Sequence, residues 1–221
     1  MALRTPVRTA YFRGNRIVTE PAAEPNAASD LSTYLRLAGS ETTLLETLIT
    51  EARQEIEDLT GLAMINQSWK LTLDRWPGDR EPWWDGMREA HINALAGLPG
   101  WVVLPRFPLS SVTSVTTYDQ AGSSTAITVA TVFDTDTAQV PGRLCLKSGQ
   151  AWPVATRDTN AIEIVYVAGY GASAASVPAP LKAAVRDLAA WKYEHRGECD
   201  AYEALRKSGA MRAVQAYGAR L

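Results

Sequence analysis

The sequence predicts an α+β protein in which N-terminal helices and a C-terminal helix pack against a small antiparallel β-sheet or meander. Three observations lead there. Residues 44–59 repeat apolar side chains at helical spacing. Between residues 63 and 168 short alternating runs are separated by turn residues with no helical crossover among them. From Pro178 a second strong helical pattern begins. Strands in series without helices between them pair as hairpins, because a parallel neighbour needs a long crossover.

Each element has a local reason. Pro21, Pro25 and the alanines between them make an extended lead-in. Asp30 or Ser29 is suited to cap a short helix, Leu31–Leu37, that Gly39 ends. In the next helix, 41–60, Leu44, Leu45, Leu48, Ile49, Ala52, Ile56 and Leu59 form the apolar side. Glu46, Glu51, Glu55 and Asp58 are assigned to the opposite side. Ser40 is a candidate cap, Thr43 to Glu46 fits a capping box, and Gly61 suits the left-handed position after the last turn. Trp69, Leu71 and Leu73 alternate with Lys70, Thr72 and Asp74, the mark of a half-buried strand. Further strand-like runs are Trp101–Leu104, Val112–Tyr118, Ala126–Phe133, Arg143–Leu146 and Ala161–Ala168. Pro105, Pro108, Ala121-Gly122-Ser123, Pro141-Gly142 and Ser148-Gly149 punctuate them. The last strong helix spans 180–196, with Pro180 in its first turn and Leu181, Ala184, Val185, Leu188 and Trp191 on its apolar stripe. Residues 199–221 carry a helical pattern interrupted by Gly209 and Gly218. The organisation is therefore an extended arm over 1–27, a core over 28–197 with an excursion at 79–100, and a tail over 198–221.

The chain has 221 residues, 46% of them hydrophobic and 21% charged, which is the composition of a folded protein rather than a disordered one. Its formal charge of −2 argues against a surface that grips nucleic acid throughout. That near-neutral total hides segregation. Residues 1–16 hold four arginines and no acid, nine acids lie between Glu20 and Asp58, and beyond Ala204 stand Arg206, Lys207, Arg212 and Arg220 without an acid. Solvated helix faces and loose termini account for this as well as contact between unlike patches on neighbouring molecules does. No apolar run reaches the ~18 residues of a membrane span, and the first 17 residues lack the apolar core of a signal peptide. Cys145 and Cys199 form no CxxC and read as reduced thiols of a cytosolic protein.

The search for chemistry returns little. His91 and His195 are the only histidines, no HxxxH or CxxC accompanies them, and this donor supply argues against a zinc site. No G-x-S-x-G and no Walker lysine motif occurs. Asp134-Thr135-Asp136 opens like a calcium loop, but Gln139 stands where that loop needs glycine. Gly169-Tyr170-Gly171-Ala172-Ser173-Ala174 matches a dinucleotide fingerprint, yet Pro178 and Pro180 keep a helix from starting at the glycines, so it reads as a turn from sheet to helix. Neither enzyme activity nor a cofactor is expected. Trp83 and Trp84 are candidate interface aromatics or a saccharide-stacking platform, with packing of the excursion onto the sheet as the plain reading. Trp69 and Trp191 are assigned to the core.

The ordered set of signals resembles the phage head–tail connector (adaptor) family. The residues that carry the resemblance are Leu44–Arg53 running on to Asp58-Leu59-Thr60-Gly61, then Trp69–Gly78, Leu104–Val112, Ala168–Gly171 and Val177–Ala184, within Pro21–Arg196 overall. The excursion 79–100 and the arginine-bearing residues 1–17 depart from the family pattern. The resemblance implies a structural protein of a tailed phage or gene transfer agent, located in the virion neck and assembled in the bacterial cytoplasm. It implies a homo-oligomeric ring, twelve copies, between the portal and a tail-completion, stopper or terminator protein. DNA passes through the channel without sequence-specific contact. Glu41, Glu46, Glu51, Glu55 and Asp58 are then candidates for a ring or channel face. Arg206, Lys207, Arg212, Tyr217 and Arg220 are candidates for a portal-docking tail that orders on docking. The alternative is a β-rich module for saccharide or host-surface recognition, carried by Trp83 and Trp84.

Overall fold

The structure, a computed structural model, describes residues 13–39, 41–77, 100–195 and 200–218. Strand β1 (Arg13–Thr19) is followed by α1 (Ala28–Leu35), α2 (Thr42–Thr60) and β2 (Gln67–Leu73). Then come β3 (Trp101–Val103), β4 (Leu109–Tyr118), β5 (Ser124–Ile127), a helical turn α3 (Val129–Val132), β6 (Phe133–Asp136), β7 (Arg143–Leu146) and β8 (Ile162–Ala168). Helices α4 (Ala179–Glu194), α5 (Ala201–Ser208) and α6 (Met211–Tyr217) complete the described chain. The α+β class is as the sequence predicts, and every strand pair within the two sheets is antiparallel.

The larger sheet has the order β1-β2-β8-β4-β5, and the smaller has β3-β7-β6. In β2 and β8 the side chains alternate strictly between buried and half-buried, so one face of the large sheet lies on a core and the other does not. Leu71, Val115, Ile162, Ile164 and Tyr166 form that core with Val102 and Leu144 from the small sheet. Trp76 stacks on Trp152 at 4.7 Å between ring centroids and donates its Nε1–H to the Pro153 carbonyl at 2.8 Å. A second core is helical: Leu45, Ile49, Ala52 and Ile56 of α2 meet Leu181, Val185, Leu188 and Trp191 of α4, with Leu31 of α1.

Two glycines join the layers. Gly61 caps α2 at φ 75°, as the sequence predicts. Gly169 ends β8 at φ 149°, where a Cβ would lie 2.5 Å from the Asn66 nitrogen. The Gly169–Gly171 stretch is thus a turn forced by close backbone approach, followed by a single 3₁₀ turn (Ala174–Ser176) before α4.

Four sequence expectations are corrected. Helix α1 begins at Ala28, three residues before Leu31, with no side-chain cap from Ser29 or Asp30, and its left-handed C-cap is Arg36 (φ 55°), not Gly39. Helix α2 starts at Thr42 behind Glu41 and makes no side-chain cap, so the Thr43 capping box does not form; Ser40 lies outside the described residues. The run Ala126–Phe133 is not one strand. It breaks at the α3 turn, and β5 and β6 go to different sheets. Residues 200–218 are not a loose tail: Ala204, Leu205 and Ala210 are fully buried in the helical core. Asp200 caps α5 by accepting from the Tyr202 N–H at 3.1 Å, and Gly209 (φ 84°) turns the chain into α6.

Candidate functional site

The surface the sequence singles out is α2, and the structure divides its acids into two groups. Glu46 and Glu51 are five residues apart, about 140° around a helix, so they do not share a face. Glu51, Glu55 and Asp58 do, together with Leu44, Leu48 and Leu59. Leu44 is 37% exposed and Leu59 56%, so the outer side of α2 is less polar than the sequence expectation had it.

Most of these carboxylates are engaged within the chain. Glu55 pairs with Lys192 of α4 at 2.7 Å, and Glu51 lies 3.9 Å from the same ammonium. Asp58 pairs with Arg106 at 2.8 Å although its own side chain is 74% exposed. The Tyr193 hydroxyl donates to Glu41 at 2.7 Å. Glu46 stands apart beside the lead-in segment, in an open groove with Pro21, Ala22 and Ile49. The five candidates therefore form one seam of four, tied at its margins to α4 and to Arg106, and one outlier.

Sequence reading missed a dense buried polar cluster that sits on the inner flank of the same helix. Arg53 and Glu57 are buried one turn apart and joined at 2.7 Å from Nη1 to Oε2. Arg53 also donates its Nε–H to Glu24 of the lead-in segment at 2.8 Å, and Thr50 donates to the same carboxylate. Glu57 accepts in addition from the Met64 N–H at 2.7 Å and from the Gln67 side-chain amide at 2.8 and 3.0 Å. Burial pushes the Glu57 carboxyl above its ordinary value, against the pull of Arg53 and these donors. The cluster fixes three elements against each other: the lead-in, α2 and the start of β2. Its sequence signal was an Arg and a Glu four apart at the border of the apolar arc.

Arg106 repeats the theme on the outer flank. Its guanidinium donates to the Glu57 and Leu62 carbonyls at 2.7 and 3.3 Å and lies 4.4 Å from the Trp69 ring centroid. It adds a second donor to the Glu57 carbonyl, which already accepts from the Gly61 N–H at 2.9 Å, and reaches the Leu62 carbonyl just beyond the helix, so it braces the end of α2.

Of the C-terminal candidates, Arg206 and Arg212 are exposed with no partner among the described residues. Lys207 faces Glu203 at 3.4 Å, and Tyr217 is partly buried against the helical core. Arg220 lies outside the described residues, as do Trp83, Trp84, His91 and Cys199. Trp69 and Trp191 are core residues, as expected. Trp101 projects beside β7, with the Arg143 guanidinium 5.2 Å from its ring centroid.

The remaining reactive groups have structural employment. His195 stacks on Trp191 at 4.4 Å with its Nδ1 3.0 Å from the Trp191 carbonyl. Burial raises the Cys145 thiol above its ordinary value, which keeps it a poor nucleophile. Asp136 accepts two hydrogen bonds from Arg143, at 2.6 and 3.1 Å, instead of turning toward a cation loop. Among the described residues no group of three or more His, Cys, Asp or Glu side chains is arranged to hold a metal.

Compared with known proteins, the chain matches no family model and no curated protein. Solved structures do match over nearly its whole length. A chain from the virion of a native gene transfer agent particle superposes with a TM-score of 0.70 at 23% identity, over 94% of this chain and 96% of that one. A chain from the neck of an empty gene transfer agent particle, computed with C6 symmetry, gives 0.65 at 25% identity, over 88% and 94%. A chain from the neck of a native particle, computed with C12 symmetry, gives 0.62 at 24% identity over the same shares. This chain shares the fold of those chains over 88–94% of its length.

Proposed function

We propose that this chain is a structural protein of the virion neck, of a gene transfer agent or a tailed phage built like one. In this reading identical copies form a ring, twelve of them, around the channel through which DNA leaves. The ring joins the portal above to a tail-completion protein below, and the chain catalyses no reaction. The observation that carries the proposal is the likeness of fold, over 88% of this chain, to chains from particle necks computed with six-fold and twelve-fold symmetry. The order of motifs along the sequence supports it independently, because it resembles the connector family over Pro21–Arg196.

A channel that DNA must slide through needs no base contacts and gains from a wall that does not hold phosphate. The near-neutral chain and the carboxylate-bearing seam of α2 are compatible with such a wall or with a contact between subunits. The test is genetic and structural. Deleting the gene from a producing strain is expected to yield filled heads that lack tails, and restoring it in trans is expected to return twelve copies per neck in cryo-EM reconstructions. Tailed, infective or transducing particles made without the chain would overturn the proposal.

A further inference from the structure

We propose that neighbouring copies in the ring meet through the outer seam of α2 on one copy and the outer face of α5 on the next. This inference rests on the ring reading above.

A closed ring of identical chains is built from a heterologous contact, in which each copy offers two different, mutually complementary patches. The α2 seam is one such patch. Leu44, Leu48, Glu51, Glu55 and Leu59 fall within about 80° of helix circumference and run about 22 Å along the axis. Leu44 and Leu59 stay open to solvent at its two ends. Among the described residues Glu51, Glu55 and Asp58 share two cations, Lys192 and Arg106, so the seam keeps a negative excess.

The second patch has the opposite character. Helix α5 buries Ala204 and Leu205 and turns Tyr202 outward, 59% exposed. Arg206 stands one turn beyond Tyr202 on the same side and is exposed, and Arg212 is exposed on α6. Neither arginine has a partner among the described residues, while Glu203 and Lys207 neutralise each other. Tyrosine and arginine are both among the side chains enriched where binding energy concentrates. Leucine side chains at the ends of a negative seam offer the apolar and charged halves of its complement. Because α5 is anchored in the core by Leu205, the patch is presented rigidly and pays little ordering entropy on contact.

The test is a charge exchange read in assembled particles. Chains carrying Glu51→Lys with Asp58→Lys, or Arg206→Glu with Arg212→Glu, are supplied to a strain deleted for the gene. Neck occupancy, measured by quantitative mass spectrometry of purified particles, is expected to fall at least tenfold for either pair and to recover when all four changes are combined. Tyr202→Ala is expected to lower occupancy without altering charge. Circular dichroism melts of each purified chain separate an assembly defect from a folding defect. Full occupancy with either charge-reversed pair, or no recovery in the fourfold variant while its melt matches wild type, overturns this interface and leaves the ring reading intact. Wild-type particles without this chain at the neck overturn both.

Discussion

Replacing Arg53 by methionine tests whether the buried cluster holds the lead-in segment, α2 and β2 together. Arg53→Met keeps most of the stem and removes the guanidinium. Arg53 and Glu57 are 3% and 5% exposed at their side chains, whereas Glu24 is 28% exposed. Loss of the guanidinium therefore strands one carboxylate in the interior and frees another that water can reach. Removing one partner of a buried pair costs about 3–5 kcal/mol. At roughly 2–4 °C per kcal/mol for a chain of this size, the melting temperature falls by about 6–20 °C at pH 7. The deficit depends on pH in a fixed direction. The Glu57 carboxyl already titrates above its ordinary value in the folded chain, and without Arg53 it moves higher still. A folded state that binds the proton more tightly than the unfolded one gains stability as pH falls through the folded value toward 4.5, and loses it as pH rises. Urea denaturation followed by tryptophan fluorescence at pH 7.5 and pH 5 reads both effects. Adding Glu57→Gln to the variant removes the stranded charge and is expected to recover at least about 1 kcal/mol. A loss below about 1 kcal/mol at pH 7.5, or one that does not shrink at pH 5, would refute the reasoning.

Three further outcomes are expected. Leu205→Ala, at a position with no solvent exposure, lowers stability by about 2–5 kcal/mol in urea melts, whereas an independent tail would show no change. Gly169→Ala drives a methyl into the Asn66 and Ile65 backbone, and its loss of at least about 1 kcal/mol is visible in the same assay. Arg143 holds the Asp136 carboxyl below its ordinary value, so this pair contributes stability above about pH 4 that disappears as pH falls through the folded value. Asp136→Asn flattens that acid limb in a series of melts between pH 2 and pH 6.

The elements that sequence periodicity defines well are those with a single environment per face. Strand β2 alternates at every residue, and the apolar arc of α2 lies against α4 as its spacing demands. Boundaries set by caps were harder. Ser29 and Asp30 have the right chemistry for an N-cap, but α1 starts at Ala28 behind Ala27, which places both inside its first turn, where the Asp30 and Leu31 N–H groups reach the Ala27 carbonyl. The Ala126–Phe133 run is rich in β-branched residues and hides its break, since the α3 turn has no glycine or proline to announce it. The candidate surface was legible in kind, not in arrangement. Charge counting finds the acids of α2, but only the fold reveals that Lys192 and Arg106, 137 and 48 positions from their respective partners Glu55 and Asp58, occupy the seam's margins. Arg53 and Glu57 escaped for the opposite reason: charged residues are assigned to solvent by default, and burial becomes visible only when Glu24 and Gln67 are brought alongside.

Both margins of the five-stranded sheet, β1 and β5, are left without a neighbouring strand among the described residues. An uncapped margin invites edge-to-edge pairing between copies of a chain. The register shift between Ile17 and Thr19 kinks one margin, the exposed Arg16 guards it, and the other is only four residues long. These features disfavour edge-to-edge pairing between copies of the chain.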